Sequence, residues 1–370
     1  MTRPTLLVTG ATGKIGRHVV HDLLAAGYPV RALVRRHDAR SAALQAAGAQ
    51  LVVGDLGDPE SLLRAMRGAQ RAFFLPPFGP FLVHTAAAFA VAAREARLEH
   101  VVSLSQWLAS PSHPSLTTRG HWLADHLLAG LPGIGHTIVN PGFFADNYLR
   151  TMPYASLLGL MPWVYGERGN APPSSEDMAH VVAHALMKPE LRAGKVYRPT
   201  GPKLLSAAEM VQTVERVLGH RVIRLPMPFW MFVKAARLDG ASIDELAPYA
   251  DYIEEHQRGT FEIGAPTDHV LQVTGRPAED FESIARRYAA AHEARPTLAK
   301  RLRQFALFMA VPMAPGYDLK GYERLMRVPQ PLQPSYAPDA DIWRREHGLP
   351  ATVAGAPLEQ RLQSLGVAPR

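Results

Sequence analysis

The fold is decided near the start of the chain by the stretch TLLVTGATGKIG, residues 5–16. Residues 5–9 form a short apolar run with β-branched members, which predicts a buried parallel strand. Three glycines follow with the spacing Gly10-x-x-Gly13-x-x-Gly16, and residues 17–26 then show apolar positions at helical spacing. Gly10 would permit a tight turn, Gly13 a close approach of backbone to pyrophosphate, and Gly16 close packing of helix on strand. A strand, a glycine loop and a helix in this order predict a dinucleotide-binding unit.

The alternation of strand and helix continues as far as residue 140. Further strands are predicted at residues 30–34, 50–53, 71–75, 100–104 and 136–140, with helices at 39–47, 60–67, 81–97 and 115–129. This pattern predicts an α/β fold built on a doubly wound parallel Rossmann sheet. We expect a dinucleotide-binding domain over residues 1–150, a smaller, mostly helical lobe over 151–294, and a basic, Pro-rich C-terminal extension over 295–370. In the lobe, helices are predicted at residues 176–187, 206–218, 229–238, 242–257, 267–273 and 278–291, with a short strand near 195–198.

Composition limits the possible functions. The 370 residues are 47% apolar and 20% charged, and no apolar run reaches the ~18 residues that a membrane span needs. The absence of cysteine excludes disulfides, a cysteine nucleophile and thiolate metal ligands, and the N-terminus is too short in apolar length for a signal peptide. His180 and His184 have zinc-ligand spacing but lack the Glu of His-Glu-x-x-His, so no metal site is predicted. We expect a cytoplasmic protein without an integral membrane segment.

The positive charge is concentrated in the extension. Residues 295–370 contain 11 Lys or Arg against 6 Asp or Glu, while the preceding 294 residues contain 29 against 27. A basic segment can bind nucleic acid, anionic lipid or an acidic partner, but no nucleic-acid motif is present, and nucleic acid is not expected as a partner. A basic amphipathic helix is predicted from the helical spacing of Leu298, Leu302, Phe305 and Met309. Such a helix lies on a membrane, packs on the core, or packs on a second subunit of a homodimer. Packing is favoured, because the Pro-rich stretch up to Trp343 resembles a wrapping arm.

Two arginines suggest which dinucleotide is bound. The second predicted strand ends in Arg35 and Arg36, at a place where NAD-binding folds often carry an acid for the ribose 2′-OH. A carboxylate would repel a 2′-phosphate, whereas a guanidinium can bind it bidentately. The sequence therefore favours NADP(H), the alternative being that both are ordinary surface arginines. Asp55, after the third strand, is a candidate for the adenine edge or a helix-cap residue.

Longer motifs carry a family resemblance. The segments TGATGKIG (9–16), VRALVR (30–35), GDL (54–56), NPGFFADN (140–147) and VTGRP (273–277) resemble the NmrA-like family of atypical short-chain dehydrogenases/reductases, over about residues 4–294. The resemblance implies NADP(H) bound by the glycine loop, Arg35, Asp55 and the turn after the fourth strand. The predicted cofactor-binding residues are Gly10, Thr12, Gly13, Lys14, Ile15, Gly16, Arg35, Asp55, Leu56, Leu75, Pro76 and Asn140.

The catalytic pair of ordinary short-chain dehydrogenases is missing. Those enzymes use Tyr-x-x-x-Lys, and none of the eleven tyrosines here has Lys four residues later. Alignment of the fifth helix puts Thr117 at the Tyr position and His121 at the Lys position. Ser105 resembles the family's active-site serine, so Ser105, Thr117 and His121 are the predicted catalytic residues. His121, with an ordinary pKa of about 6.5, would donate the proton, or else it is a structural helix residue.

Aromatic residues in the loops after strands four, five and six predict an apolar pocket over the nicotinamide. Phe78, Trp107 and Phe144 are the predicted substrate-binding residues. Together these features predict an NADP(H)-dependent reductase of a small hydrophobic carbonyl, enone or quinone. The missing Tyr and Lys favour an alternative, a non-catalytic NADP(H)-binding redox sensor that acts through a protein partner.

Overall fold

A seven-stranded parallel sheet lies at the centre of the molecule. The computed structural model describes residues 3–350. Its strands are β1 (Leu6–Val8), β2 (Val30–Val34), β3 (Gln50–Val53), β4 (Arg71–Phe74), β5 (His100–Leu104), β6 (Gly135–Val139), β7 (Leu160–Trp163), β8 (Val196–Tyr197) and β9 (Ile223–Pro226). The main sheet has the order β3-β2-β1-β4-β5-β6-β8 with every pair parallel, and β7 pairs with β9 in a separate parallel ribbon.

Helices connect the strands and form most of the C-terminal region. The helices up to residue 158 are α1 (Lys14–Ala25), α2 (Ala39–Ala46), α3 (Pro59–Met66), α4 (Leu82–Glu95), α5 (Leu116–Ala129), α6 (Ala145–Leu149) and α7 (Met152–Leu158). Those that follow are α8 (Ser175–Met187), α9 (Pro189–Arg192), α10 (Ala207–Leu218), α11 (Phe229–Leu238), α12 (Ile243–Leu246), α13 (Tyr249–Gln257), α14 (His269–Thr274), α15 (Phe281–Ala290), α16 (Leu298–Ala310), α17 (Leu319–Leu325) and α18 (Asp341–Glu346). Short 3₁₀ turns span Thr260–Glu262, His292–Ala294, Val311–Met313 and Ala337–Asp339.

The central strand β1 explains why the sheet carries helices on both faces. Leu6 and Val8 belong to a core cluster with residues of α1 and α8, whereas Leu7 belongs to a cluster with α3, α4 and α5. All three side chains are fully buried, as expected for a parallel strand covered on both sides. The strand order reverses between β1 and β4, so the loops after these strands diverge and leave a crevice at the carboxyl edge.

The predicted doubly wound parallel sheet is confirmed, and its six predicted strands lie within two residues of their expected bounds. The short strand predicted near residues 195–198 is confirmed as β8, but it pairs with β6 as the seventh strand of the main sheet and is not part of the lobe. One helix prediction in the C-terminal region needs correction. The helix predicted over residues 242–257 is broken into α12 and α13, because Pro248 has no N–H to continue the hydrogen-bond ladder.

Five elements between residues 145 and 226 were not predicted. They are the short helices α6, α7 and α9 and the strands β7 and β9. Each of the two strands contains a proline, Pro162 or Pro226, and a proline within an apolar run argues against a strand in sequence reasoning. The pair is tolerated here because it forms a two-stranded ribbon in which both strands are edges.

The chain after residue 310 lies against the C-terminal lobe and the loop after β5. Trp343 is fully buried, its Nε1 donates to the carbonyl oxygen of Trp107 at 2.8 Å, and its ring stacks on His347 with centroids 3.9 Å apart. The amide of Ser335 donates to the carbonyl of Ser112 at 2.9 Å. The domain boundaries at residues 150 and 294 remain predictions, and residues 351–370 of the predicted extension lie outside the described residues.

The amphipathic helix predicted near residue 298 forms as α16. Leu298, Leu302, Phe305 and Met309 are 54–75% exposed, so this apolar stripe does not pack on the core within residues 3–350. Packing on a second subunit, the other form of that expectation, stays a prediction. No residue of α16 is buried. The helix contacts α7 through Phe308, which meets the ring of Tyr154. Within residues 3–350, no helix combines the length and apolar character needed to cross a bilayer.

Candidate active site

The glycine loop turns tightly at the carboxyl end of β1. Gly10 has φ +59°, and a Cβ there would lie 2.7 Å from Leu75 Cδ2. A Cβ on Gly16 would lie 2.2 Å from the carbonyl oxygen of Gly10, so only glycine permits this approach of helix to loop. Gly13 is the N-cap of α1, provides no side-chain cap, and is followed by no acidic residue in the first turn. The amides at the start of α1 are therefore free to bind an anion.

The ends of β2 and β3 present exposed polar side chains. Arg35 and Arg36 are exposed and make no side-chain hydrogen bond or ion pair within residues 3–350. Asp55 is also exposed, and its Oδ1 accepts the Gly57 amide at 2.7 Å. The side-chain cap of α3 comes from Asp58, so Asp55 is not the helix cap considered as an alternative. We call the ends of β1, β2 and β3 the glycine-loop half of the edge.

The remaining predicted cofactor residues lie on the same edge or beside it. Thr12, Ile15, Leu56 and Leu75 are partly buried and Pro76 is buried. Thr9 Oγ1 accepts the Leu75 amide at 2.8 Å, which joins the ends of β1 and β4. Lys14 is exposed and its Nζ donates to Asp146 Oδ2 at 2.9 Å, so the glycine loop is linked to the segment after β6.

Two buried amides at the carboxyl edge are not fully paired. Asn140, directly after β6, and Gln106, just after β5, are each 6% exposed. Asn140 Oδ1 and Gln106 Nε2 have no hydrogen-bond partner within the described residues. An unpaired buried polar atom costs about 1–3 kcal/mol, so these atoms are suited to a bound polar ligand. Together with the uncapped start of α1 and the free arginines, they fit a dinucleotide along this edge.

The ends of β5 and β6 and the facing side of α5 form the second half, which we call the α5 half. Ser105 Oγ donates to Asp125 Oδ2 in a short hydrogen bond. Ser103 Oγ lies 3.4 Å from Asp125 Oδ1 and 2.9 Å from His136 Nε2. Asp125 has no Lys or Arg partner within residues 3–350 and is 7% exposed. Burial raises its pKa to about 7, although the two serine hydroxyls lower it in part.

Asp125 was missed by the sequence analysis, although a signal for it exists. It stands four residues after His121 and eight after Thr117, so all three share the face of α5 that meets the sheet. Thr117 and His121 are 6% and 8% exposed. Burial lowers the pKa of His121 to about 4, which leaves the ring neutral at pH 7. The protonated imidazole expected from the ordinary pKa is therefore not available near neutral pH.

The three predicted substrate residues differ in exposure. Phe78 is 57% exposed in the loop after β4, and Phe144 is partly buried against the core cluster of α1 and α8. Trp107 is 1% exposed and its Nε1 donates to the carbonyl of Thr260 at 3.3 Å, so it supports the site from within the core. Thr117 lines a small cleft whose wall includes Tyr322 from α17.

Other polar clusters are accounted for by internal contacts. His180 Nδ1 lies 2.6 Å from Asp22 Oδ2, and His184 Nδ1 lies 2.8 Å from the carbonyl oxygen of His180. Within residues 3–350, no group of three His, Asp or Glu side chains is placed to bind a metal ion. The His180 and His184 pair is therefore explained by one hydrogen bond between α1 and α8 and one within α8.

The fold and the edge define a Rossmann-type dinucleotide-binding protein with a second, mostly helical region. The model of the NmrA-like family matches residues 2–124. NAD(P)H azoreductase of Xenophilus azovorans is 32% identical over 293 residues, which cover 77% of this chain and 98% of that protein. The chain belongs to the NmrA-like family.

Two further relatives support this placement. A (4-alkanoyl-5-oxo-2,5-dihydrofuran-3-yl)methyl phosphate reductase of Streptomyces griseus is 30% identical over 297 residues, covering 77% of this chain and 98% of that protein. The NADPH complex of a quinone oxidoreductase from Escherichia coli has the same fold, with a TM-score of 0.66 at 22% identity, covering 76% of this chain and 98% of that one. All three are reductases or oxidoreductases by name, and the azoreductase and the quinone oxidoreductase are named as using NAD(P)H or NADPH. About a quarter of this chain has no counterpart in the first two.

Proposed function

We propose that this chain is an NADP(H)-dependent reductase of a hydrophobic carbonyl, enone or quinone that works without the Tyr-x-x-x-Lys pair. The observation that carries the proposal is the Ser105–Asp125 hydrogen bond at the end of β5, on the same sheet edge as the glycine loop. It supplies a hydroxyl held in one orientation by a buried acid whose pKa lies close to neutral pH. The named activities of the relatives agree with this reaction class.

The glycine-loop half would bind the nucleotide. The first amides of α1 would hold the pyrophosphate, Arg35 the 2′-phosphate, and Asp55 the adenine edge. Asn140 would offer its unpaired Oδ1 to the nicotinamide end. When bound, NADPH would supply the hydride. The predicted preference for NADP(H) over NAD(H) rests on Arg35 and on the absence of an acidic residue at the end of β2.

The α5 half would supply the proton. Ser105 and Thr117 would orient the substrate oxygen by hydrogen bonds. When protonated, Asp125 would donate its carboxyl proton to Ser105 Oγ, so that the hydroxyl proton of Ser105 would point to the substrate oxygen. As negative charge develops on that oxygen, it would take the proton of Ser105, and Asp125 would replace it. Asp125 would be left as a carboxylate and recover its proton from solvent. His121, neutral at pH 7, would serve as a hydrogen-bonding residue, and Phe78 and Phe144 would provide apolar contact.

The test is NADPH consumption with a panel of quinones and enones. Ser105→Ala and Asp125→Asn should each lower kcat by about 10²-fold or more, while NADPH affinity stays within a few-fold. Ser103→Ala is the matched control, because it removes only the more distant hydroxyl from Asp125, and kcat should stay within about tenfold. The wild-type rate should fall as pH rises through about 7, since the protonated carboxyl is then lost.

The results also separate the alternatives. If His121→Ala loses about 10²-fold in kcat and Asp125→Asn loses little, the proton comes from the imidazole. The competing function is a redox sensor, favoured by the missing Tyr and Lys. Tight NADPH binding by the wild type without turnover on any acceptor of the panel would contradict the reductase and favour the sensor.

A further inference from the structure

The outer face of α16 carries a row of large apolar side chains that nothing in the described structure covers. Leu298, Leu302, Phe305 and Met309 recur every three or four residues, and Met313 continues the row after the helix. Their side chains are 75%, 62%, 54%, 54% and 82% exposed in that order. Five large apolar groups in one line are more than the scattered single exposures normal for a protein surface.

The helix is nevertheless held in a defined orientation. Thr297 caps it by accepting the Lys300 amide, and Phe308 meets Tyr154 of α7 edge-on, with ring centroids 6.3 Å apart. Gln304 hydrogen-bonds Tyr154 from the same side. Because residues 304 and 308 face α7, the apolar row on the opposite side is directed outward by the packing itself.

The charged residues of the segment that carries this row have one sign. Residues 294–317 contain four basic residues and neither Asp nor Glu. Arg301 and Arg303 are exposed. Trp230 of α11 is 53% exposed with Lys234 Nζ 5.2 Å from its ring centroid, and Lys234 donates to the carbonyl of Pro312 at 2.6 Å. Lys234 thereby connects Trp230 to the turn that follows α16.

We propose that this surface, formed by the apolar row with Arg301, Arg303 and Trp230, binds an anionic lipid bilayer, with α16 lying in the plane of the interface. An exposed apolar row beside basic residues has the chemistry of an interfacial helix. Negative lipid headgroups match the basic residues, and the apolar side chains insert among the acyl chains. A second copy fits less well, because a twofold pairing would bring like charges together with no acid on this segment to offset them. The proposal does not rest on the reductase activity.

Co-sedimentation of the full chain with vesicles tests this proposal. Phosphatidylcholine vesicles containing 30% phosphatidylglycerol should bind the protein, and pure phosphatidylcholine or 0.5 M NaCl should release most of it. The double substitution Arg301→Gln/Arg303→Gln should weaken binding by about 30-fold. Phe305→Asp should weaken it by at least about tenfold, because it puts a charge among the acyl chains.

A matched control and a second measurement keep the outcomes distinct. Leu191→Asp changes a side chain that is 57% exposed on α9, so it should leave vesicle binding and the melting temperature unchanged. Phe305→Asp should also keep the wild-type melting temperature, since Phe305 is 54% exposed. Equal binding to neutral and anionic vesicles, or no binding, overturns the proposal. A dimer in solution that Phe305→Asp converts to a monomer, without vesicle binding, assigns the surface to a second copy instead.

Discussion

The two halves of the sheet's carboxyl edge are formed in different ways. The glycine-loop half consists of a backbone turn and exposed side chains, with Arg35 and Asp55 within about 40 residues of Gly16. The α5 half is buried, and contacts far apart in the chain close it. His113 Nε2 lies 3.0 Å from Glu255 Oε1, which also accepts the Ala337 amide at 2.6 Å. One half is therefore formed by local sequence, and the other depends on the folded C-terminal region.

This difference extends to electrostatics. In the glycine-loop half, the pyrophosphate and 2′-phosphate would meet free amides and an exposed guanidinium, with no rearrangement of internal ion pairs. In the α5 half, burial dominates, raising the pKa of Asp125 to about 7 and lowering that of His121 to about 4. Substitutions in the first half should therefore change ligand affinity, and those in the second should change stability and proton transfer.

The largest effect is expected where the C-terminal segment closes the α5 half. Trp343→Ala removes a fully buried indole that bonds the Trp107 carbonyl, and should lower the free energy of unfolding by about 3–5 kcal/mol. NADPH affinity, measured at a temperature where the variant is folded, should change by no more than a few-fold. Trp230→Ala, at a half-exposed tryptophan, is the control and should cost about 1 kcal/mol or less in urea unfolding. Similar losses for both variants would mean that residue 343 does not close the site.

In the glycine-loop half, a substitution should change cofactor affinity and leave stability nearly unchanged. Arg35→Ala should reduce the preference for NADPH over NADH by about 10- to 100-fold in calorimetric titration, because a charge-assisted contact to the 2′-phosphate contributes about 1.5–3 kcal/mol. The free energy of unfolding of this variant should stay within about 0.5 kcal/mol of the wild-type value, since the side chain is exposed. Arg36→Ala is the neighbouring control and should have the smaller effect. An unchanged preference in Arg35→Ala, or a larger loss in Arg36→Ala, would contradict the assignment to Arg35.

The features that the sequence predicted and those that it did not are separated by the same division. The glycine spacing, the arginine after β2 and the strand alternation are local patterns, and the sheet they predicted was found. Asp125 was not predicted, because its partners Ser103 and Ser105 come from the end of β5, about 20 residues earlier in the chain. Its spacing from Thr117 and His121 alone indicates only a shared helix face. The exposed row of α16 was expected to pack, because periodicity shows that a helix has an apolar face and not whether anything covers it. The strand at Val196 was assigned to the lobe because two residues carry no register information.

The most gradual effect, spread over several pH units, concerns the electrostatic side of the comparison. Asp125 has an ordinary pKa of 3.8 when unfolded and about 7 when folded. Between these values the folded chain keeps a proton that the unfolded chain has lost. The free energy of unfolding should therefore fall as pH rises, by up to about 1.4 kcal/mol per pH unit, and the loss should be complete above about pH 7. Asn cannot ionise, so Asp125→Asn should lack this loss. The lowered pKa values of His121 and His136 act in the opposite direction, but they are present in both proteins and cancel in the difference.

Urea unfolding at pH 5, 6, 7 and 8 measures this difference. The free energy of unfolding of Asp125→Asn should rise relative to that of the wild type up to about pH 7, and the difference should then stay constant. Asp55→Asn, at an exposed carboxylate, should show no such trend. A constant difference between Asp125→Asn and the wild type across this range would mean that Asp125 is already ionised at pH 5, and the proton relay through Ser105 would lose its donor.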